Sequence, residues 1–265
     1  MKQSFRDMMD RDISIKFPPQ RIVSVVPSQT ELLYDLGLDE QVIGITKFCV
    51  HPQEWFRAKT RVGGTKNLNV EMVLSLQPDL VIANKEENTR EQIEYLAQYI
   101  PTWISDIQTV DDGLSMIERV GALTGRVHQA STMLERIKNG FSGIAQMTSK
   151  TAKQKAAYFI WRRPWMSVGR DTFIHDVLQR CGFENVFAGE KRYPEIDDDM
   201  LKRAEPDVVL LSSEPYPFKD NHVLEIRKLL PNATIKLVDG EMFSWYGSRM
   251  VKAVDYLKTF IQEGS

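Results

Sequence analysis

The side chains able to do chemistry in this chain are aromatic and charged residues gathered in a few short runs. Phe48, Cys49, Val50, His51, Pro52 and Trp55 stand close together, followed by Gly63, Gly64, Thr65 and Lys66 and then by Asn84, Lys85 and Glu86. Further on come Trp161, Arg162, Arg163, Pro164 and Trp165, then Glu214, Pro215, Tyr216, Pro217 and Phe218, and finally Glu241, Met242, Phe243, Ser244, Trp245 and Tyr246. Four of the five tryptophans, all but Trp103, fall in these runs. Rings offer broad apolar faces with few polar atoms, so the set suits a large, flat, partly apolar ligand, with Lys66, Lys85, Arg162 and Arg163 available for acidic substituents. The competing reading is that the aromatics only pack a core. Binding is preferred for Trp165, Trp245 and Tyr246, which have polar and glycine-rich neighbours. Packing is preferred for Trp55, which sits beside Phe56 in an expected helix.

Bond-making chemistry is poorly served. The chain has no GxSxG elbow, no GxxxxGK loop, no GxGxxG fingerprint and no HExxH helix. His51, His128, His175 and His222 are scattered, and His128 and His175 fall in helical patterns where structural roles are expected. His51, in an aromatic run before a proline, is the one candidate for an axial ligand to a bound metal, with a plain hydrogen-bonding role equally open. Cys49 and Cys181 match no CxxC or zinc spacing and read as buried small apolar side chains. Asp197, Asp198 and Asp199 could hold a hard cation, but helix capping explains them adequately.

Thirty-four basic and 36 acidic residues give a net charge of -2 without any basic stripe, which excludes nucleic acid as an expected partner. Nothing requires more than a monomer. Residues 1–16 contain no signal-peptide core and no lipoprotein cysteine, and no stretch of roughly eighteen apolar residues crosses a membrane. A cytoplasmic location and an export signal already removed are both compatible with this.

The elements that must position these runs alternate in type. Residues 21–26 read as a strand feeding a helix, where Ser28 and Glu31 form an expected capping box and Gly37 ends the helix. The pattern then gives a strand at 42–46, a helix at 69–76, a strand at 79–83 and a helix at 89–99. From 110 to 148, apolar residues including Leu114, Ile117, Val120, Leu123, Leu134, Ile137 and Ile144 keep helical spacing with no strand signal. Alternation resumes with strands at 156–161, 207–211 and 235–238 and helices at 173–181, 199–204, 221–230 and 247–261. The expected fold is α/β, with two Rossmann-like lobes of mostly parallel sheet joined by a single long helix and a ligand cleft between the lobes. The expected divisions are an N-terminal extension at 1–20, a first lobe at 21–109, a linking helical segment at 110–150 and a second lobe at 151–265. Ligands of parallel sheets bind outside the carboxyl ends of the strands, and every aromatic run above follows a strand. The helix opening at Ser28 adds free N–H groups suited to a carboxylate, amide or phosphate.

An internal repeat supports two halves. EMVLSLQPDLVI (71–82) and DMLKRAEPDVVL (199–210) align without a gap. Each copy has an acidic residue opening a short helix, then Pro-Asp, then a buried strand.

The segments RIVSVVPSQTELL (21–33), RVGG (61–64), LQPDLVI (76–82) and CGFENVF (181–187) resemble the helical-backbone substrate-binding proteins of ABC importers for cobalamin, haem and ferric siderophores. The resemblance runs from about residue 21 to residue 261, with cobalamin-binding members the nearest likeness. It implies a non-catalytic protein with no intrinsic cofactor, carrying a corrinoid, haem or iron chelate as its transported ligand. Its other partner would be a membrane permease dimer, and its place of work outside the inner membrane. Glu71 and Asp199 then become permease-docking residues, and the ligand contacts carried over by position are His51, Gly64, Thr65, Trp165, Glu241 and Trp245. Ser28, Phe48, Lys66, Lys85, Trp161, Arg162, Arg163, Glu214, Tyr216 and Tyr246 complete the candidate ligand set. The readings left beside this one are a cytoplasmic tetrapyrrole sensor and a chelatase-like enzyme, the latter motivated by His51, Glu214 and Glu241.

Overall fold

Apolar runs bounded by turn residues become strands here, and the computed structural model describes them over residues 1–149 and 152–263. The chain opens with a hairpin of β1 (Lys2–Arg6) and β2 (Asp12–Lys16). Then follow β3 (Ile22–Ser24), α1 (Pro27–Asp35), β4 (Val42–Ile45), α2 (Gln53–Ala58), β5 (Thr60–Arg61), α3 (Val70–Ser75), β6 (Leu80–Asn84), α4 (Arg90–Ala97) and β7 (Thr102–Ser105). Two helices come next, α5 (Val110–Thr124) and α6 (Val127–Thr148). The remainder is β8 (Gln154–Phe159), β9 (Trp165–Met166), α7 (Phe173–Arg180), β10 (Phe183–Asn185), β11 (Glu195–Ile196), α8 (Asp198–Ala204), β12 (Val208–Ser212), α9 (Asp220–Leu229), β13 (Thr234–Val238), α10 (Gly240–Ser244) and α11 (Met250–Gln262).

The chain divides into two compact units. One holds Met1–Ile107, Asp111–Glu135 and Tyr246–Arg249; the other holds Gln108–Val110, Arg136–Trp245 and Met250–Ser265. The first unit contains a parallel sheet of order β5-β4-β3-β6-β7, so its strands, counted along the chain, lie 3-2-1-4-5. The second contains a parallel sheet of order β10-β8-β12-β13, a 2-1-3-4 arrangement. These are the two expected α/β lobes. Both residue sets are buried through the middle strands: β6 and β12 are buried along their whole length, as continuous apolar strands covered on both faces must be. In each sheet the order reverses once, at β3/β6 and at β8/β12, and crevices for ligands open at the carboxyl end of such a point.

The helical segment is two helices. Gly125 adopts φ +71°, α5 stops there, and a Cβ on Gly121 would stand 2.4 Å from that of Ala130, so only glycine lets α6 start so close to α5. Helix α6 begins in the first unit and ends in the second. The expected boundary at 150/151 lies outside the described residues. Residues 247–249, expected inside the last helix, instead precede α11 and, with Tyr246, belong to the first unit.

The capping box expected of Ser28 and Glu31 does not form. Pro27 occupies the first helical turn, Val26 is the cap residue, and no side chain caps the helix. Proline's fixed φ moves the helix start two residues earlier, which puts Ser28 inside the turn. Glu31 instead pairs with Arg249, Nε to Oε2 at 2.8 Å, both side chains buried.

The repeat is reproduced in its caps, its positive-φ stops and its Pro-Asp pairs. Asn69 and Asp197 cap α3 and α8, accepting from the N–H of Met72 and Met200, so Glu71 and Asp199 each occupy the second helical position and are exposed. Both helices end on a residue at positive φ, Gln77 and Glu205, before the Pro-Asp pair. Asp79 then accepts from the N–H of Gln20 (2.8 Å) and Arg21 (2.9 Å), and Asp207 accepts from that of Lys155 (2.7 Å). Each aspartate therefore fastens the start of the neighbouring central strand. Asp79→Ala is expected to cost about 1–3 kcal/mol, because two N–H donors lose their acceptor, and Asp207→Ala less; urea midpoints measure both.

The sequence pattern missed the N-terminal hairpin. Its tip carries Asp7, fully buried, which accepts from the N–H of Met9 and Arg11 and from Arg11 Nε. Met8 N–H donates to the carbonyl of Ile104 at 3.0 Å, so the tip covers the free edge of β7.

Candidate functional site

In the first unit, the carboxyl ends of β3 and β6 rest on a buried polar floor. Asn88 Oδ1 accepts from the N–H of Asn84, and its Nδ2 donates to the carbonyls of Val25 and Thr65, both at 3.1 Å. Asn84 Nδ2 donates to Ser105 Oγ at 2.9 Å, and Gln29 donates to the same oxygen. This network ties the Thr65 loop to the sheet, and buried amides paired in this way make a loop rigid. Ser28 is buried beside it, and its Oγ has no hydrogen-bond partner among the described residues.

Phe48 lies half exposed, with Lys47 Nζ 5.1 Å from its ring centroid. Gly64 passes under that ring so closely that a Cβ there would lie 3.0 Å from it. His51 and Thr65 are partly buried in the same group of loops. The expected cations are engaged: Lys66 Nζ donates to the carbonyl of Glu86, and Lys85 pairs with Asp106 at 2.5 Å. Cys49 is buried between the hydroxyls of Thr30 and Thr46, and burial pushes its thiol pKa up, as expected of a structural cysteine. Trp55 is core, again as expected, and donates to Asp39.

In the second unit, the loops after β8 and β12 meet at the reversal point. Trp161, 40% exposed, stands edge-on to Tyr216 with centroids 5.7 Å apart. Tyr216 is held through its hydroxyl by His222 Nε2 (3.2 Å), whose Nδ1 accepts from the N–H of Lys219. Trp165, expected to bind, is buried and stacked on Phe218 at 5.9 Å and 3°. Arg162 is likewise not free for a ligand. Its guanidinium lies over the Trp165 ring at 4.4 Å and pairs with Glu225, Nε to Oε2 at 3.1 Å. Arg163 stays exposed, at φ +69°.

The loop after β13 runs into α10. Asp239 caps that helix through the N–H of Glu241, which is partly buried. Glu214, from the β12 loop, accepts from Ser244 Oγ and Trp245 Nε1. Tyr246 is buried and falls in the first unit. Thus Trp161 with Tyr216, Glu214 with Trp245, and Phe48 with Gly64 are brought together, whereas Trp165 lies in the core and Arg162 pairs with Glu225 over it. Glu225, Ser244, Asn88 and Arg249 were missed, since their partners lie many residues away and no local pattern marks them. Among the described residues no group of three or more His, Cys, Asp or Glu could hold a metal ion.

Residues 22–229 match the family model described as Periplasmic binding protein. An uncharacterised ABC transporter substrate-binding lipoprotein of Bacillus subtilis is 29% identical over 212 residues, covering 77% of this chain and 67% of that protein. The vitamin B12-binding protein of Pectobacterium atrosepticum is 25% identical over 258 residues, covering 92% of this chain and 89% of its own. A solved periplasmic haem-binding protein from Roseiflexus sp. RS-1 has the same fold, with a TM-score of 0.80 at 21% identity over 93% of this chain and 99% of that one.

Proposed function

We propose, from the premise that this chain belongs to the periplasmic binding protein family, whose members are solute-binding proteins and not enzymes, that it captures a cobalamin-like corrinoid for an ABC importer. The chain is an ABC-transporter substrate-binding protein, which removes the chelatase reading. Among its described residues no helix is long and apolar enough to cross a membrane.

The observation that carries the ligand class is the pairing of two strand-end cations, one in each unit, with carboxylates. Arg162 is taken up by Glu225 and Lys85 by Asp106, Lys66 donates to a backbone carbonyl, and Glu214 accepts from Trp245 in the second unit. A set of strand-end loops with few free cations suits a ring system edged with neutral amides. It suits haem propionates or a ferric catecholate less, because their charges need free cations. Phe48 in the first unit and Trp161 in the second, both exposed, each offer an apolar ring, and the relative from Pectobacterium is named for this ligand class. Glu71 and Asp199, at matched exposed positions, are the docking residues for a permease dimer. Haem is the second reading, favoured by the partly buried imidazole of His51 in the loop after β4.

Titration with cyanocobalamin, haemin and a ferric catecholate, followed by tryptophan fluorescence, tests this. Saturable quenching by cyanocobalamin at micromolar concentration or below is the expected result. Saturation by haemin alone replaces the corrinoid with the second reading, and saturation by none of the three ends both.

A further inference from the structure

One carboxylate joins the loops that follow β12 and β13. Glu214 Oε1 accepts from Ser244 Oγ at 2.9 Å and from Trp245 Nε1 at 2.8 Å. The loops meet so tightly that a Cβ on Gly240 would lie 2.2 Å from Ser212 Oγ and 2.7 Å from Glu214 Cγ. On the β12 side, Ser212 Oγ donates to the Glu214 carbonyl (2.6 Å), and Tyr158 Oη donates to Ser212 Oγ (3.1 Å). On the β13 side, the N–H of Gly240 donates to Ser213 Oγ at 2.9 Å. The backbone of Glu214 is thus fixed from below, and its carboxylate is aimed at a tryptophan on the neighbouring loop.

The titratable groups packed around this junction are Glu241 and Asp239 at the start of α10, Tyr158 on β8 and Tyr256 on α11, which accepts from the N–H of Asp239. Burial raises the carboxyl pKa of Glu214 above its ordinary range, the negative charges of Glu241 and Asp239 raise it further, and the two hydrogen bonds oppose them. A buried carboxylate accepting an indole N–H forms a charge-assisted bond, about twice as strong as a neutral one. A tryptophan held in this way enters a complex without first losing rotamer freedom.

We infer that Glu214 is a positioning residue for ligand capture: its carboxylate fixes the indole of Trp245, and protonation of that carboxylate loosens the ring and weakens binding. The inference rests on the reading that Trp245 meets the ligand. Because the folded-state carboxyl protonates above the ordinary carboxylate range, affinity falls as pH drops through that raised value, earlier than an exposed glutamate would cause.

The test uses the full chain labelled with 15N-tryptophan. The indole N–H signal of Trp245 is identified by its loss in Trp245→Phe. Without ligand, that signal is expected to move through one titration as the pH is lowered. Glu214→Gln should abolish the movement and leave the other tryptophan signals in place, which reports an intact fold. Cyanocobalamin affinity at neutral pH is expected to drop about tenfold in Glu214→Gln, and to change by less than about twofold when the same substitution is made in Trp245→Phe. An indole signal that ignores both pH and Glu214→Gln overturns the inference, as does an affinity loss of equal size in the two backgrounds. If the indole responds but the wild-type chain binds no corrinoid, the positioning by Glu214 stands and the ligand assignment falls.

Discussion

Methionine in place of Arg249 is expected to lower the unfolding free energy by about 3–5 kcal/mol, one of the largest single losses available in this chain. Arg249 and Glu31 are each under a tenth exposed, and they meet at 2.8 Å inside the first unit. Removing the guanidinium strands a carboxylate on the buried face of α1, where desolvation is no longer offset by an opposite charge. The pair itself contributes far less than its breakage suggests. Glu31→Leu added to Arg249→Met should therefore return most of the loss, since apolar side chains of similar volume replace both charges. Urea midpoints at constant slope measure the single and double variants. A single variant within about 1 kcal/mol of wild type would show that the site is wetter than its burial indicates. In segment 246–249 this pair, the buried Tyr246 and Ser248, and Gly247 against the Ser28 carbonyl and Leu32 belong to the first unit.

That same pair marks the limit of what local pattern can reveal. Ser28 and Glu31 have the spacing of a capping box, and proline at the first helical position together with a partner 218 residues away decides otherwise. Strand and helix alternation was legible because periodicities of 2 and 3.6 are properties of neighbouring residues. The helix-Pro-Asp-strand repeat was legible because each feature in it has a local cause: a cap, a positive-φ stop and a strand start. The 3-2-1-4-5 strand order was not, since pairing between strands is fixed by long-range burial. Neither was the hairpin of residues 2–16, whose buried tip residue Asp7 meets the distant Ile104 and Arg119. Among the candidate ligand residues, composition marked the right loops but could not sort them. Arg162 and Trp165 have the same residue types as a binding pair, and only Glu225 and Phe218, far along the chain, turn them into packing.

Lysine at both Glu71 and Asp199 is expected to abolish delivery to the permease while leaving ligand affinity and stability nearly unchanged. Neither residue is the cap of its helix; Asn69 and Asp197 hold those roles through their own side-chain oxygens. An exposed acid in a first turn gains only about 0.3–1 kcal/mol from the helix dipole, and the 4.0 Å approach of Asp199 to Lys202 on the surface adds little. Nothing in the interior would therefore suffer from reversal. Across an interface the same change places like charges face to face, which costs several kcal/mol and corresponds to a loss of more than about 100-fold in association. Uptake of labelled cyanocobalamin by cells that depend on this protein measures the effect, with dissociation constants and melting temperatures of the purified variants alongside. Uptake that persists in the double variant removes both residues from the docking surface. A matching loss of ligand affinity or of thermal stability would return them to a structural role. If uptake never depended on this chain, and the double variant instead released a soluble partner, the matched acids would serve a sensor and not an importer.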